Sequence, residues 1–121
     1  MKKTLVIGAS ENPERYSHKA IRALLAHQHE VVALGLKKGS VQGIEFHTEK
    51  EAFEDIDTVT MYVGPQNQSG YYDYIIGLKP RRVIFNPGTE NPEFIAKLKS
   101  AGIYPEIACT LVLLATDQYE E

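Results

Sequence analysis

Leu5-Val6-Ile7-Gly8-Ala9-Ser10-Glu11-Asn12-Pro13-Glu14-Arg15-Tyr16-Ser17, with Ile21-Arg22-Ala23-Leu24-Leu25 behind it, reads as strand, tight turn, polar loop and amphipathic helix. The helix is expected to begin near Ser17, whose hydroxyl suits an N-cap. Such a turn collects free backbone N–H groups and the positive end of a helix at one point, which favours a phosphate. Gly8 has no Cβ, so a ligand can approach the backbone closely there. The turn departs from the dinucleotide fingerprint G-x-G-x-x-G, because Ser10 and Pro13 stand where the second and third glycines would be. The loop is also longer and ends in Arg15, Tyr16 and Ser17. A nucleotide-type ligand is therefore expected, and an ordinary nicotinamide cofactor is disfavoured.

Beyond this unit, strands and helices alternate. Thr4–Ile7, Val31–Leu34, Thr58–Val63 and Arg82–Phe85 are short apolar or β-branched runs of the buried-strand kind. Ile44–His47 reads as a short extra strand or an extended loop, and Glu49–Phe53 as a helical turn or two. A helix is expected with Tyr71, Tyr74, Ile75 and Leu78 on one face, stopped by Pro80. Another is signposted by Asn91 as N-cap, Pro92 at its first position and Gly102 after its end. Ile103-Tyr104-Pro105 reads as a last short strand, and Cys109–Ala115 as a closing helix. This β-α-β-α pattern predicts a three-layer α/β domain with an open, parallel, Rossmann-like sheet of about five strands. One domain is expected over residues 1–121. Ligands in such sheets bind beyond the carboxyl ends of the strands. The turns there are Gly8-Ala9-Ser10, Gly35-Leu36-Lys37, Gly64-Pro65 and Asn86-Pro87-Gly88, which together form one crevice.

Composition narrows the field. With 121 residues the chain is long enough for one core without covalent staples. A net charge of −3 and a pI near 5.8 argue against nucleic-acid or anionic-membrane binding, so any phosphate site must be local. The lone Cys109 excludes an intramolecular disulfide and a cysteine-cluster metal site. The apolar run after Met1-Lys2-Lys3 stops at Gly8, too short for a signal peptide, and no stretch has the length of a membrane span. A cytoplasmic location is expected.

The order of these motifs resembles the small stand-alone coenzyme A-binding proteins. That domain is similar to the N-terminal domain of succinyl-CoA synthetase alpha subunits and NDP-forming acyl-CoA synthetases. The marks are Val6-Ile7-Gly8-Ala9-Ser10 with Pro13, Arg15 and Ser17, then Gly43 before the acidic segment, and Asp57-Thr58-Val59. Pro87-Gly88-Thr89-Glu90-Asn91, Ala101-Gly102-Ile103 and Cys109 complete them. The resemblance spans nearly the whole chain. It implies coenzyme A as ligand, with its pyrophosphate near the first turn and its adenine side at the end of the second strand. Gly8, Ala9, Ser10, Arg15, Ser17 and Lys37 fall at those places. Three positions depart from the pattern: Gly35-Leu36 replaces a frequent Asn-Pro, Val63-Gly64 replaces a frequent Arg, and Ile84 and Asn86 replace a Trp and a Gln.

Taken singly, each residue has a bland and a functional reading. Arg15 is a bidentate phosphate ligand or a solvated loop residue. Lys37 and Lys38 occupy the place where NAD-binding folds carry an acid, and a lysine there fits the 3′-phosphate of CoA or the 2′-phosphate of NADP. Asn86-Pro87-Gly88 touches the pantetheine or serves as a turn before a helix. The four histidines lack metal spacing and read as surface residues. Cys109 reads as a packed thiol, the alternative being a mixed disulfide with CoA. The expected function is binding of CoA or an acyl-CoA through the nucleotide portion, without catalysis by this chain alone. The alternatives are a small NAD(P)-dependent oxidoreductase, a phosphoaccepting receiver, and a CoA-sensing regulatory module with a protein partner. The apolar C-terminal segment is compatible with a homodimer.

Overall fold

The computed structural model describes residues 3–120; Met1 and Lys2, read as the lead-in to the first strand, and Glu121 lie outside them. The apolar runs form β1 (Lys3–Ile7), β2 (Glu30–Leu34), β5 (Ile56–Met61) and β6 (Arg82–Phe85). Between β2 and β5 lie two further strands, β3 (Ser40–Val41) and β4 (Ile44–His47), and β7 (Tyr104–Ile107) comes late in the chain. The helices are α1 (Tyr16–Ala26), α2 (Tyr72–Leu78), α3 (Pro92–Ser100) and α4 (Thr110–Ala115). The sheet has seven strands in the order β3-β4-β2-β1-β5-β6-β7, all pairs parallel except β3 with β4. The α/β, Rossmann-like architecture is as expected. The sheet is larger than expected because residues 40–47 fold as a hairpin, turning at Gln42 and Gly43 with φ of 49° and 86°.

Strand alternation builds the two faces. Leu5, Ile7, Val59, Met61, Val83 and Phe85 point one way and pack on Tyr72, Ile75, Phe94 and Leu98 of α2 and α3. Val6, Ala33 and Ile84 point the other way, onto Ile21 and Leu24 of α1 and Leu113 and Leu114 of α4. Chain order runs outward from β1 through β2 to the β3–β4 hairpin, then crosses back to β5 on the other side of β1. The reversal falls between β1 and β5. A crevice opens at such a point, because the connections leaving the two strands diverge to opposite faces.

Local signals held where capping chemistry is explicit. Asn91 caps α3, its Oδ1 accepting from Phe94 N at 3.1 Å with Pro92 at the first position, and Gly102 follows the helix at φ 78°. Four expectations shift. Glu49–Phe53 is not helical; the segment offers one large apolar residue, Phe53, and its groups are taken from outside. Lys50 Nζ donates to Gly70 O at 2.5 Å, and the Tyr74 hydroxyl donates to Glu51 O at 2.6 Å. The helix around Tyr71–Leu78 starts at Tyr72, with Tyr71 in a preceding 3₁₀ turn, and its buried residues are Tyr72 and Ile75. Strand β5 stops at Met61, so Tyr62 and Val63 leave the sheet. Finally, α1 is capped two residues early: extended Arg15, not Ser17, is the N-cap, and Ser17 is buried inside the first turn.

Candidate functional site

A cleft of about 1190 Å³ opens over the carboxyl ends of the central strands. Gly8, Ala9, Ser10, Arg15, Ser17, Lys37, Gly64, Pro87 and Gly88 all line it. Of the residues singled out from sequence, Pro65 and Asn86 do not. Pro65 starts a 3₁₀ turn. Asn86 lies buried, and its Nδ2 donates to Thr60 Oγ1 (2.7 Å) and Met61 O (2.9 Å) while Oδ1 accepts from Thr110 N (2.9 Å). It braces β5, β6 and α4 and has no side-chain group left for a ligand.

The first turn needs Gly8 for a reason visible in its neighbours. Its φ is 96°, and a Cβ would lie 3.1 Å from the carbonyl carbon and oxygen of Tyr62. The expectation that Gly8 and Ala9 offer free amides is corrected: Gly8 N and Ala9 N both donate to Leu34 O, at 2.9 and 3.1 Å. The β1–β2 ladder thus continues past the strand and takes up both groups. Donors remain one step further on. Lys19 N makes the first bond of α1, to Arg15 O at 3.2 Å, so the amides of Tyr16, Ser17 and His18 precede the helical ladder. No side chain caps this end.

The loop before α1 is set by its own residues. Ser10 Oγ accepts from Asn12 N at 3.1 Å, Asn12 Oδ1 from Glu14 N at 3.0 Å, and Asn12 O from Arg15 N at 3.0 Å. His18 Nδ1 lies 3.2 Å from Ser10 O. The Arg15 side chain is exposed and bonded to none of the described residues, and the same holds for the side chains of Lys37 and Lys38. These three cations stand at one end of the cleft, with Leu36, 89% exposed, beside the lysines.

The residues lining the other end are uncharged, although Lys50 Nζ lies over the Tyr71 ring and Glu90 Oε1 accepts from Gly88 N. This end is lined by Tyr62, Val63, Gly64, Asn67, Tyr71, Pro87, Gly88 and Thr89. Burial pushes the Tyr62 phenol up to about 12; its hydroxyl has no hydrogen-bond partner among the described residues, and the nearby Thr60 and Thr110 hydroxyls only temper the shift. Gln68, which sequence reasoning passed over, holds this end together. Its Nε2 donates to Val63 O and Thr89 O, both at 2.8 Å, and its Oε1 accepts from Asn91 Nδ2 at 3.0 Å. Nothing in the run Asn67-Gln68-Ser69 marks it out, since two of its three partners, Thr89 and Asn91, lie more than 20 residues further along the chain. Cys109 is half-buried, free and outside the cleft lining. Among the described residues no group of side chains fits a metal ion, and no helix is long and apolar enough to cross a membrane.

None of the curated proteins matches the chain. A crystal structure of an uncharacterized protein is 49% identical, with a TM-score of 0.95 and 98% of each chain covered. A Thermus thermophilus protein shares the fold at 24% identity and a TM-score of 0.86, covering 97% of this chain and 90% of that one. So does part of the dinucleotide-forming acetyl-coenzyme A synthetase 1 of Ca. Korarchaeum cryptofilum, solved with phosphate and ADP. There the identity is 16% and the TM-score 0.71, over 86% of this chain and 25% of that one. The family model of the CoA binding domain matches residues 2–115, from the first strand through the last helix, and the chain belongs to that family.

Proposed function

We propose that this chain, as one domain over residues 1–121, binds coenzyme A or an acyl-CoA through its nucleotide portion and carries out no reaction by itself. The observation that carries the reading is the division of the cleft. One end has an uncapped helix start with Arg15, Lys37 and Lys38, whose charge outweighs that of Glu11 and Glu14 beside them, and the residues lining the other are uncharged. CoA has the same division, with three phosphates at one end and a neutral pantetheine arm at the other. In this reading the pyrophosphate accepts from the Ser10 hydroxyl and the amides at the start of α1, with Arg15 supplying charge-assisted bonds. Lys37 meets the adenosine 3′-phosphate. The pantetheine runs past Gly64 toward Pro87 and Gly88, where glycine and proline leave room for an extended arm. Membership of the CoA-binding family supports the choice of ligand.

The test is a thermal-shift series with CoA, acetyl-CoA, NAD, NADP and ATP. A ligand at about 100 times its Kd stabilises by roughly 2.7 kcal/mol, enough to raise the melting point by several degrees. CoA and acetyl-CoA are expected to do so, and NAD and NADP are not. A shift with NADP alone would replace this reading by the oxidoreductase, and silence from all five would end it.

A further inference from the structure

The segment bearing Lys37 and Lys38 is fastened at both ends to β4. Gly35 N donates to His47 O at 2.9 Å, and Gly39 O accepts from Phe46 N at 2.8 Å. A third fastening comes from 29 positions away: Ser40 N donates to Glu11 Oε2 at 2.8 Å. Glu11 belongs to the loop between β1 and α1 and lines the cleft, so this bond ties that loop to the end of the lysine loop. Its side chain lies against Gly39, where a Cβ would be 2.7 Å from both Glu11 Cγ and Cδ. The absence of a side chain at Gly39 is what lets the carboxylate reach the Ser40 amide.

Charge alone does not account for this placement. A carboxylate at the mouth of a site for a polyanion repels the ligand and offsets part of what Arg15, Lys37 and Lys38 contribute. A carboxylate accepting from a backbone N–H makes a strong, directional tether, however. We infer that Glu11 is a positioning residue for the lysine loop: its bond to Ser40 N holds Lys37 and Lys38 over the end of the cleft. It thereby sets the preference for ligands carrying a phosphate on the adenosine ribose. The inference rests on the CoA reading above and adds to it the origin of that selectivity.

Glu11→Ala removes both tether and charge, while Glu11→Gln keeps an acceptor oxygen and removes the charge. Gly39→Ala keeps the charge and pushes the side chain off the Ser40 amide; Gly39 holds no left-handed φ, so alanine is accommodated by the backbone. Calorimetric titration of CoA and dephospho-CoA against the four proteins gives the ratio of the two affinities. Wild type is expected to prefer CoA. The preference falls about fivefold in Glu11→Ala and Gly39→Ala, the worth of one exposed charge pair, and is retained in Glu11→Gln. Dephospho-CoA affinity stays within about twofold of wild type in the Gly39 variant. A ratio that is unchanged in Glu11→Ala and Gly39→Ala overturns the inference. So does tighter CoA binding in both Glu11 variants, which would make Glu11 a repelling charge only. Equal wild-type affinity for the two ligands overturns it by removing the lysine–phosphate contact while leaving CoA binding intact. Wild type binding neither ligand would instead end the CoA reading itself.

Discussion

The two ends of the sheet treat their cations in opposite ways. At the amino end of the strands Arg82, 1% exposed, is partnered from within through all three of its side-chain nitrogens: it donates to Thr58 Oγ1 at 2.9 Å, to Glu106 Oε1 at 2.8 Å and to the Tyr119 carbonyl. The Tyr119 ring lies 4.5 Å below the guanidinium, and its hydroxyl meets Thr4 Oγ1 at 2.5 Å. At the carboxyl end Arg15, Lys37 and Lys38 stand exposed around an uncapped helix start. A buried charge with each guanidinium nitrogen bonded closes the fold by pinning the turn at Tyr119 to β1, β5, β6 and β7. Exposed cations with no internal partner contribute little to stability and leave a site for an anion. On the proposed reading, stability and binding fall at opposite ends of the same strands, and substitutions at the two ends should separate them.

The largest effect is expected at the closed end. Arg82→Ala leaves Glu106 and the Tyr119 carbonyl without their donor and should cost about 3–5 kcal/mol of stability, read from urea unfolding. The variant that still folds at low temperature should bind CoA with wild-type affinity. A loss of affinity matching the loss of stability would show that the two ends are not independent.

A smaller effect follows from Tyr62, which lines the cleft just past the carboxyl end of β5. Its phenol is pushed from 10.0 to about 12 by burial, so from pH 10 to 12 the unfolded chain releases a proton that the folded chain keeps. Stability should therefore fall as pH rises through that window, and Tyr62 should account for about 2–3 kcal/mol of the fall at most. Tyr62→Phe should flatten the decline measured by urea unfolding across the window. An identical slope in the variant would place the phenol in water in the folded state.

The smallest effect belongs to a single exposed cation. Lys37→Ala should weaken CoA by about 1 kcal/mol, more at low salt than at high, with an unchanged melting point. Equal weakening of dephospho-CoA would move Lys37 from the ribose phosphate to the pyrophosphate.

The features legible in the sequence are those whose cause is local. The four apolar strands, the Asn91-Pro92 helix start and the Gly102 stop each follow from neighbouring residues. The hairpin of β3 and β4 was half hidden, because Ser40–His47 is short and only Gln42-Gly43 marks its turn. Glu49–Phe53 was misread because its backbone and side chains bond to β4's end and the α2 region. The cleft shows the same limit. Gly8, Ser10, Arg15 and Lys37 could be named from their turns. Whether an amide in those turns is free depends on Leu34, which takes both Gly8 N and Ala9 N. Asn86, Gln68 and Glu11 owe their roles to partners more than 20 residues away, and no pattern within their own segments announces them.

The most direct measurement of the central claim is calorimetric titration of CoA into wild type and Ser10→Glu. The substitution sets a carboxylate against the amides at the start of α1, on a loop whose residues 11–16 are exposed. Wild type should bind, and the variant should show no measurable heat of binding at an unchanged melting temperature. Equal affinity in the two proteins would contradict the placement of the phosphates at this turn.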